Sequence, residues 1–261
     1  MSTKKLNIIG IIPARMGSSR YPGKPMEMIQ GMPMIGHCYK RAKMSKMLDE
    51  VYIATPDKVI KKYAESIGAK AVIGRNDHPG CSDITAEVIL KVEKETRQKT
   101  DIVVMLQGDE PMIVPEMIDM AVKPMLEDDS IEVLNLMAPI RSREEHNDMN
   151  CPKVVVDEQN FAIYMSREPI PSWKKFKGDS IPMYKQVCVI PFRRDFLEQF
   201  NMWGRTLLEG IESIDMLRVL EKGHKVKMVY EEFETYSVDT PEDLKKVDAK
   251  MATDPLVKTY A

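Results

Sequence analysis

The chain has 261 residues, of which 43% are hydrophobic and 30% charged, proportions typical of a globular protein with a sizeable core. Lysine and arginine number 38 and aspartate and glutamate 40, so no overall charge attracts nucleic acid, and any cationic site must be local. The cysteines lack the spacing of zinc ligands and indicate free thiols in a reducing compartment. They are Cys38, Cys81, Cys151 and Cys188.

The N-terminal segment only faintly resembles a signal peptide. Lys4 and Lys5 precede an apolar run, but Pro13 and Arg15 end that run too early. No stretch of about 18 apolar residues, the length that a membrane helix needs, occurs in the sequence. We therefore expect a soluble, cytoplasmic protein with no membrane partner.

Strand-like and helix-like segments alternate over the first 110 residues. This alternation predicts right-handed βαβ units and a mostly parallel sheet covered on both faces. The expected strands are residues 8–12, 51–55, 71–73 and 102–106, and the expected helices are 31–45, 56–67 and 83–97.

The pattern changes in the second half, where polar turns separate short apolar runs. A hairpin turn at 157–160 predicts an antiparallel section. Thr240 or Asp239 caps a terminal helix, with Pro241 at its first position. The other expected elements are strands at 133–140, 153–157, 161–166 and 226–230 and an amphipathic helix at 206–222.

Ligands bind at the carboxyl ends of the strands in open α/β sheets, so the loops that follow these strands should converge on one cleft. The first of them combines small residues with the cations Arg15, Arg20 and Lys24, a combination that suits a nucleoside triphosphate. The converging loops are expected at residues 13–25, 56–57, 74–82, 107–111 and 237–240.

The first loop is not a Walker A loop. Five residues separate Gly17 from Gly23, where that motif has four, and Pro25 stands where it needs a hydroxyl. The dinucleotide fingerprint GxGxxG is also absent. A P-loop kinase or NTPase is therefore disfavoured, and a triphosphate site of another kind remains.

Two aspartates at strand ends are candidate metal ligands. Asp109 lies beside Glu110 after the fourth strand, and Asp239 lies in the last loop. Magnesium is usually held by one or two carboxylates together with substrate phosphates, which a distant pair could supply. The alternative is that the first is a turn former and the second a helix cap.

Several motifs, in order and nearly end to end, resemble those of the CMP-Kdo synthetases, the 3-deoxy-manno-octulosonate cytidylyltransferases. Each motif is weak alone, but their shared order over about 230 residues is specific. The motifs are Pro13-Ala-Arg-x-x-Ser-x-Arg-x-Pro-Gly-Lys24, Arg75-x-Asp-His78, Gln107-Gly-Asp-Glu-Pro111, Ser166-Arg-x-x-Ile-Pro171, Leu208-Glu-x-x-Glu212 with Leu217-Arg218, and Val238-Asp-Thr-Pro-Glu-Asp-Leu244.

The resemblance implies a Rossmann-like α/β nucleotidyltransferase with a mostly parallel sheet and a smaller antiparallel insertion. The nucleotide-binding core would comprise residues 1–130 and 225–261, and residues 131–224 would bind the acceptor and form a homodimer. The implied reaction transfers CMP from CTP to an acidic sugar (Kdo or a related 2-keto-3-deoxy sugar acid), releases pyrophosphate and serves surface-polysaccharide synthesis.

The family pattern also implies residue roles. Asp109 and Asp239 would carry Mg²⁺, the implied cofactor, and Arg15 and Lys24 would hold the triphosphate and act in catalysis with them. The implied nucleotide-binding set is Pro13, Ala14, Arg15, Ser18, Ser19, Lys24, Arg75 and Gln107, and the implied acceptor-binding set is Arg167, Gln186, Glu209, Glu212 and Met216.

Two departures from the family pattern lie on the acceptor side. Gln186 stands where the family has the histidine of a His-x-Gly segment, and Met216 stands where it has a hydrogen-bonding glutamine. A site that loses a polar partner discriminates differently between substrates. We therefore expect CTP use to be retained and an acceptor other than standard Kdo: an amino or otherwise modified octulosonate, another 2-keto-3-deoxy sugar acid, or a smaller acidic acceptor. The alternative explanations are repacking of the core for Met216 and functional replacement of the histidine for Gln186.

Two questions stay open at this point. His78 is the histidine that falls in a predicted cleft loop, and its functional and structural interpretations are equally favoured. A non-catalytic CTP-binding homologue is the rival to an enzyme, although such a binder need not keep a pair of metal-binding aspartates.

Overall fold

The computed structural model describes residues 5–17, 21–78, 80–177, 181–234 and 236–260. Strands and helices alternate along most of these ranges. The strands are β1 (Ile8–Pro13), β2 (Met28–Ile29), β3 (Met32–Pro33), β4 (Glu50–Thr55), β5 (Lys70–Ile73), β6 (Ile102–Met105), β7 (Leu134–Pro139), β8 (Lys153–Val156), β9 (Ala162–Ser166), β10 (Tyr184–Val187), β11 (Ile190–Arg193) and β12 (Lys227–Tyr230).

The helices surround the strands, and short 3₁₀ turns follow the first loop (Lys24–Met26) and end the chain (Val257–Thr259). No helix in the described ranges is long and apolar enough to cross a membrane. The α-helices are α1 (Met34–Ala42), α2 (Lys58–Ser66), α3 (Cys81–Thr96), α4 (Pro115–Glu127), α5 (Arg143–Asn147), α6 (Arg194–Met202), α7 (Leu207–Glu212), α8 (Met216–Glu221) and α9 (Pro241–Met251).

The first sheet has the strand order β11-β6-β1-β4-β5. Strands β6, β1, β4 and β5 pair in parallel, and β11 is antiparallel at the edge. Every residue of β1 is buried, as expected for a strand covered on both faces. The predicted parallel α/β core is confirmed.

The second sheet has the order β12-β7-β10-β8-β9 and is antiparallel except for the pair β12 and β7. The predicted hairpin joins β8 to β9, where the Asn160 amide donates to the Asp157 carbonyl at 3.0 Å. Strand pairing crosses both boundaries of the expected two-part division, because β11 joins the first sheet and β12 the second. That division stays a prediction.

The helix expected over residues 206–222 is instead two short helices, α7 and α8. Ser213 lies between them with φ of 51°, a left-handed conformation that a continuous helix cannot contain. The Arg167 guanidinium holds the break, since it donates to the carbonyls of Glu212 at 2.6 Å and Ser213 at 3.0 Å. An amphipathic pattern did not reveal this interruption. The elements at 115–127 and 184–202, which are α4, β10, β11 and α6, were not predicted from the sequence pattern.

The last helix begins at the predicted cap. The Thr240 hydroxyl accepts from the Asp243 amide at 3.2 Å, and the Asp243 carboxylate accepts from the Thr240 amide at 3.0 Å. Pro241 occupies the first helical position. This capping box fixes the backbone that follows Asp239.

We expect Thr240→Ala to lower the free energy of unfolding by about 1 kcal/mol, because an amide at the helix N-terminus loses its acceptor. Thr240→Ser retains the hydroxyl and is the matched control. Denaturant unfolding of the two variants and the parent measures the difference. Equal midpoints for the alanine and serine variants would contradict the role of the cap.

Candidate functional site

The loops that leave the parallel strands open onto one cavity of about 980 Å³. Residues from all five expected loops line it, which confirms the predicted convergence. They include Arg15, Pro56, Arg75, Gln107 and Asp239. The second sheet contributes the opposite wall, through residues such as Lys185 and Gln186 of β10. We call these five loops the nucleotide-side loops, after the role that the resemblance implies. The cavity lies between them and the second sheet.

A three-residue ionic cluster lies where the first, fourth and last loops meet. Lys24 Nζ donates to Asp109 Oδ2 at 2.6 Å and to Asp239 Oδ1 at 3.2 Å. It also donates to the Val238 carbonyl at 2.9 Å, and the Val238 amide donates to the Asp109 carbonyl at 2.9 Å. The structure thus unites two carboxylates that are 130 positions apart in the chain.

The cluster can hold a divalent cation. Burial opposes the charge of the Lys24 ammonium, but Asp109 and Asp239 outweigh it, so the pKa of Lys24 is raised above its ordinary value. The two carboxylates thus share one cation already, and their oxygen donors are those that Mg²⁺ prefers. The described residues contain no group of three or more His, Cys, Asp or Glu side chains arranged for a metal. Two carboxylates that leave positions for substrate phosphates fit magnesium.

A glycine lets two of these loops touch. A Cβ at Gly108 would lie 2.5 Å from the Pro13 carbonyl oxygen, a distance that real Cβ atoms do not adopt. Only glycine therefore allows the loop after β6 to pack on the end of β1. The Ala14 amide is already used by the Ala54 carbonyl, at 2.9 Å. Ser18 and Ser19, which are expected beside the triphosphate, lie outside the described residues.

Arg75, Gln107 and His78 all line the cavity, and one carboxylate organises the loop that carries two of them. Glu87 accepts from the Arg75 amide at 2.9 Å and contacts His78 Nε2 at 2.5 Å. Burial opposes its charge, but Lys91, the Arg75 amide and His78 outweigh it and lower the pKa of Glu87 to about 2. The contact with Glu87 thus ties the His78 side chain to α3.

On the acceptor side, Arg167, Gln186 and Glu209 line the cavity as expected. The Gln186 amide donates to Asn135 Oδ1 at 2.6 Å. The Arg167 guanidinium is occupied by backbone carbonyls, among them Met149 at 2.9 Å. Arg167 therefore shapes the wall rather than offering a free cation to a ligand.

The structure places Glu212 and Met216 away from the cavity wall. Glu212 accepts from the Ser166 hydroxyl at 2.8 Å and the Arg167 amide at 2.8 Å, which fixes Arg167. Met216 is fully buried in the hydrophobic cluster behind the second sheet. Its side chain fills the core, as in the alternative explanation above, and the neighbouring Asp215 faces the cavity instead.

Other charged residues of the cavity wall were not predicted from the sequence. Asp83 lies in the first turn of α3, directly after a predicted cleft loop, and that position was an available signal. Asp215 lies between the quoted pieces 208–212 and 217–218, but its place on the cavity wall depends on the break between α7 and α8. Lys185 and Arg205 had no local signal.

Comparison with known proteins agrees with this geometry. A family model described as cytidylyltransferase matches residues 9–232. The chain is 40% identical over 250 residues to the 3-deoxy-manno-octulosonate cytidylyltransferase of Pelobacter propionicus, covering 92% of this chain and 96% of that protein. It is 41% identical over 252 residues to the protein of the same name from Thermodesulfovibrio yellowstonii, covering 94% and 98%.

A solved structure of CMP:2-keto-3-deoxy-manno-octonic acid synthetase complexed with CTP superposes with a TM-score of 0.86 at 36% identity. The match covers 94% of this chain and 98% of that one. A 4-diphosphocytidyl-2C-methyl-D-erythritol synthase from Anaerococcus prevotii, 14% identical with a TM-score of 0.61, shares the fold. The resemblance to CMP-Kdo synthetases is thus confirmed, and the chain belongs to the cytidylyltransferase family of nucleotidyltransferases.

Proposed function

We propose that this enzyme transfers CMP from CTP to a 2-keto-3-deoxy sugar acid of the Kdo type and releases pyrophosphate. The observation that carries the proposal is the pair Asp109 and Asp239, brought together around one cation at the mouth of the nucleotide-side loops. The names of the relatives and the CTP complex of the similar structure support the same chemistry.

The residues at the nucleotide end bind and orient CTP. In this proposal Arg15, which is exposed on the cavity wall, neutralises the triphosphate, and Arg75 and Gln107, which line the same cavity, contact the base. Transfer at phosphorus depends on positioning and charge neutralisation more than on a covalent protein intermediate. The reaction accordingly requires no histidine or cysteine nucleophile.

Asp109 and Asp239 would hold Mg²⁺, which when bound supplies charge neutralisation to the substrate phosphates. Lys24 neutralises the two carboxylates in the structure. Once a divalent cation neutralises them instead, charge balance favours contact of the Lys24 ammonium with the substrate phosphates. The acceptor hydroxyl forms a new bond to the α-phosphorus as the bond to pyrophosphate breaks. Gln186 and Glu209 line the side from which that acceptor approaches.

A cytoplasmic homodimer is part of the same proposal, as the family resemblance implies. The alternative, a non-catalytic CTP-binding homologue, predicts nucleotide binding without pyrophosphate release. An assay of pyrophosphate release with CTP and sugar acids, repeated with UTP, GTP and ATP, separates the two.

Removal of either aspartate should abolish turnover. We expect Asp109→Ala and Asp239→Ala to lower kcat at least about 100-fold, because one carboxylate alone holds the cation poorly. EDTA should stop the parent enzyme, and added Mg²⁺ should restore it. Asp195→Ala, at a carboxylate that is 69% exposed, is the control. A near-normal rate for Asp109→Ala would show that the metal site lies elsewhere.

Arg15→Ala should weaken CTP use selectively. We expect the KM for CTP to rise about tenfold, as for loss of one charged contact to phosphate, while the KM for the acceptor changes less than about twofold. Initial rates with each substrate varied in turn measure both constants. Equal effects on the two constants would contradict the assignment of Arg15 to the triphosphate.

Glu87→Gln should loosen the loop that carries Arg75 and His78. We expect the KM for CTP to rise roughly three- to tenfold with little change in kcat. The substitution removes a charged hydrogen-bond acceptor that contributes about 1 kcal/mol, at a position away from the reacting atoms. Glu95→Gln, at an exposed position of the same helix, is the matched control. An unchanged KM would mean that Glu87 does not position the nucleotide loop.

A further inference from the structure

Three carboxylates on the acceptor side of the cavity share one cation. Asp83 of α3, Glu209 of α7 and Asp215 before α8 all line the cavity. Arg218 Nε and Nη2 donate to the two oxygens of Glu209, at 2.8 and 2.5 Å. Arg218 Nη1 lies 3.6 Å from Asp83 Oδ1, beyond hydrogen-bond distance. In the described part of the chain, Glu209 and Asp83 form salt bridges with Arg218 alone and Asp215 forms none, so negative charge is in excess.

The buried carboxylate of Asp83 has an unused acceptor. Asp83 is only 8% exposed, and its Oδ2 atom is buried without a hydrogen-bond partner among the described residues. A buried oxygen without a donor is costly, because it has lost its water and gained nothing in return. Because Asp83 also lines the cavity, a ligand that donates hydrogen bonds at this part of the wall would supply the missing donor.

The electrostatics of Asp215 agree with an excess of negative charge. Burial of the carboxyl, and then the charge of Glu209, raises the pKa of Asp215 to about 6. Asp83 acts in the same direction, whereas Arg218 opposes the rise. A cationic ligand at this position would relieve the repulsion, and a second anion would increase it.

The positively charged side chains near the acceptor end of the cavity differ in whether they already have partners. Arg167 is held by backbone carbonyls, and Lys185 is paired with Glu145 at 2.7 Å. Arg205 is an exposed guanidinium on the wall and has no salt bridge in the described part of the chain. Arg205 is therefore available to bind the carboxylate of the acceptor, separately from Asp83, Glu209 and Asp215.

We propose that the acceptor is an amino-bearing 2-keto-3-deoxy sugar acid, whose ammonium group is held by Asp83 and Asp215. This proposal rests on the function given above and deepens it. An ammonium supplies both a positive charge and three donors, whereas a hydroxyl supplies one donor and leaves the excess charge in place. Asp83 and Asp215 thus become determinants of acceptor specificity.

The test compares acceptors that differ by one group. Pyrophosphate release from CTP is measured with Kdo and with a set of its mono-amino-deoxy analogues, at a pH where a primary amine is protonated. We expect the best amino analogue to have a kcat/KM at least about tenfold above that of Kdo. A kcat/KM for Kdo equal to or above that of every amino analogue would overturn the inference and leave the proposed function intact.

Substitutions at Asp83 and Asp215 test whether these residues cause the preference for an amino-bearing acceptor. Asp83→Asn and Asp215→Asn keep size and polarity but remove charge, and each should reduce the amino-to-hydroxyl ratio about tenfold with the KM for CTP within about twofold of the parent. Asp129→Asn, at a side chain that is 95% exposed, is the control. Because Asp83 is buried, thermal melting checks folding, and Asp215→Asn, at a less buried position, serves as the second variant.

The outcomes separate the two proposals. An unchanged ratio in a folded Asp215→Asn variant would overturn the role of the acidic group. No pyrophosphate with any acceptor would contradict the proposed function itself, and the inference would fall with it. A reduced ratio with unaltered CTP kinetics supports both.

Discussion

The mutual neutralisation of Lys24, Asp109 and Asp239 is the interaction on which the site depends. Two carboxylates placed this close repel each other unless a cation lies between them. Lys24 provides that cation, and it comes from the loop that follows β1, a strand with parallel partners on both sides. Loops from three distant parts of the chain are thus drawn to the same point.

Contacts between the two sheets form a cavity beside this cluster. Val133 pairs with Phe192 in an isolated bridge, and the Leu136 amide donates to the Val189 carbonyl at 3.4 Å. These contacts bring the start of β7 against β11 at the edge of the first sheet. The second sheet therefore faces the loops that follow the parallel strands, and residues of both line the cavity.

The two ends of the cavity balance charge differently. At the nucleotide end, a lysine offsets two aspartates, and the exposed Arg15 adds a positive charge to the cavity wall. At the other end, Arg218 offsets Glu209 and leaves Asp83 and Asp215 without full compensation. Electrostatic complementarity then selects an anion at one end and favours a cationic group at the other.

The amino-acid sequence alone determined the parallel core, the converging loops and the cap at Thr240, because these depend on local periodicity, turn formers and capping groups. Only the tertiary structure decided the break at Ser213, which Arg167 holds from 46 positions away, and with it the place of Asp215 on the cavity wall and the burial of Met216. A helical pattern reports which residues are apolar, but it carries no information about a distant guanidinium that takes the last carbonyls of a helix. For the same reason Asp109 and Asp239 were recognisable in the sequence as two carboxylates at strand ends, whereas their meeting around Lys24 required the fold.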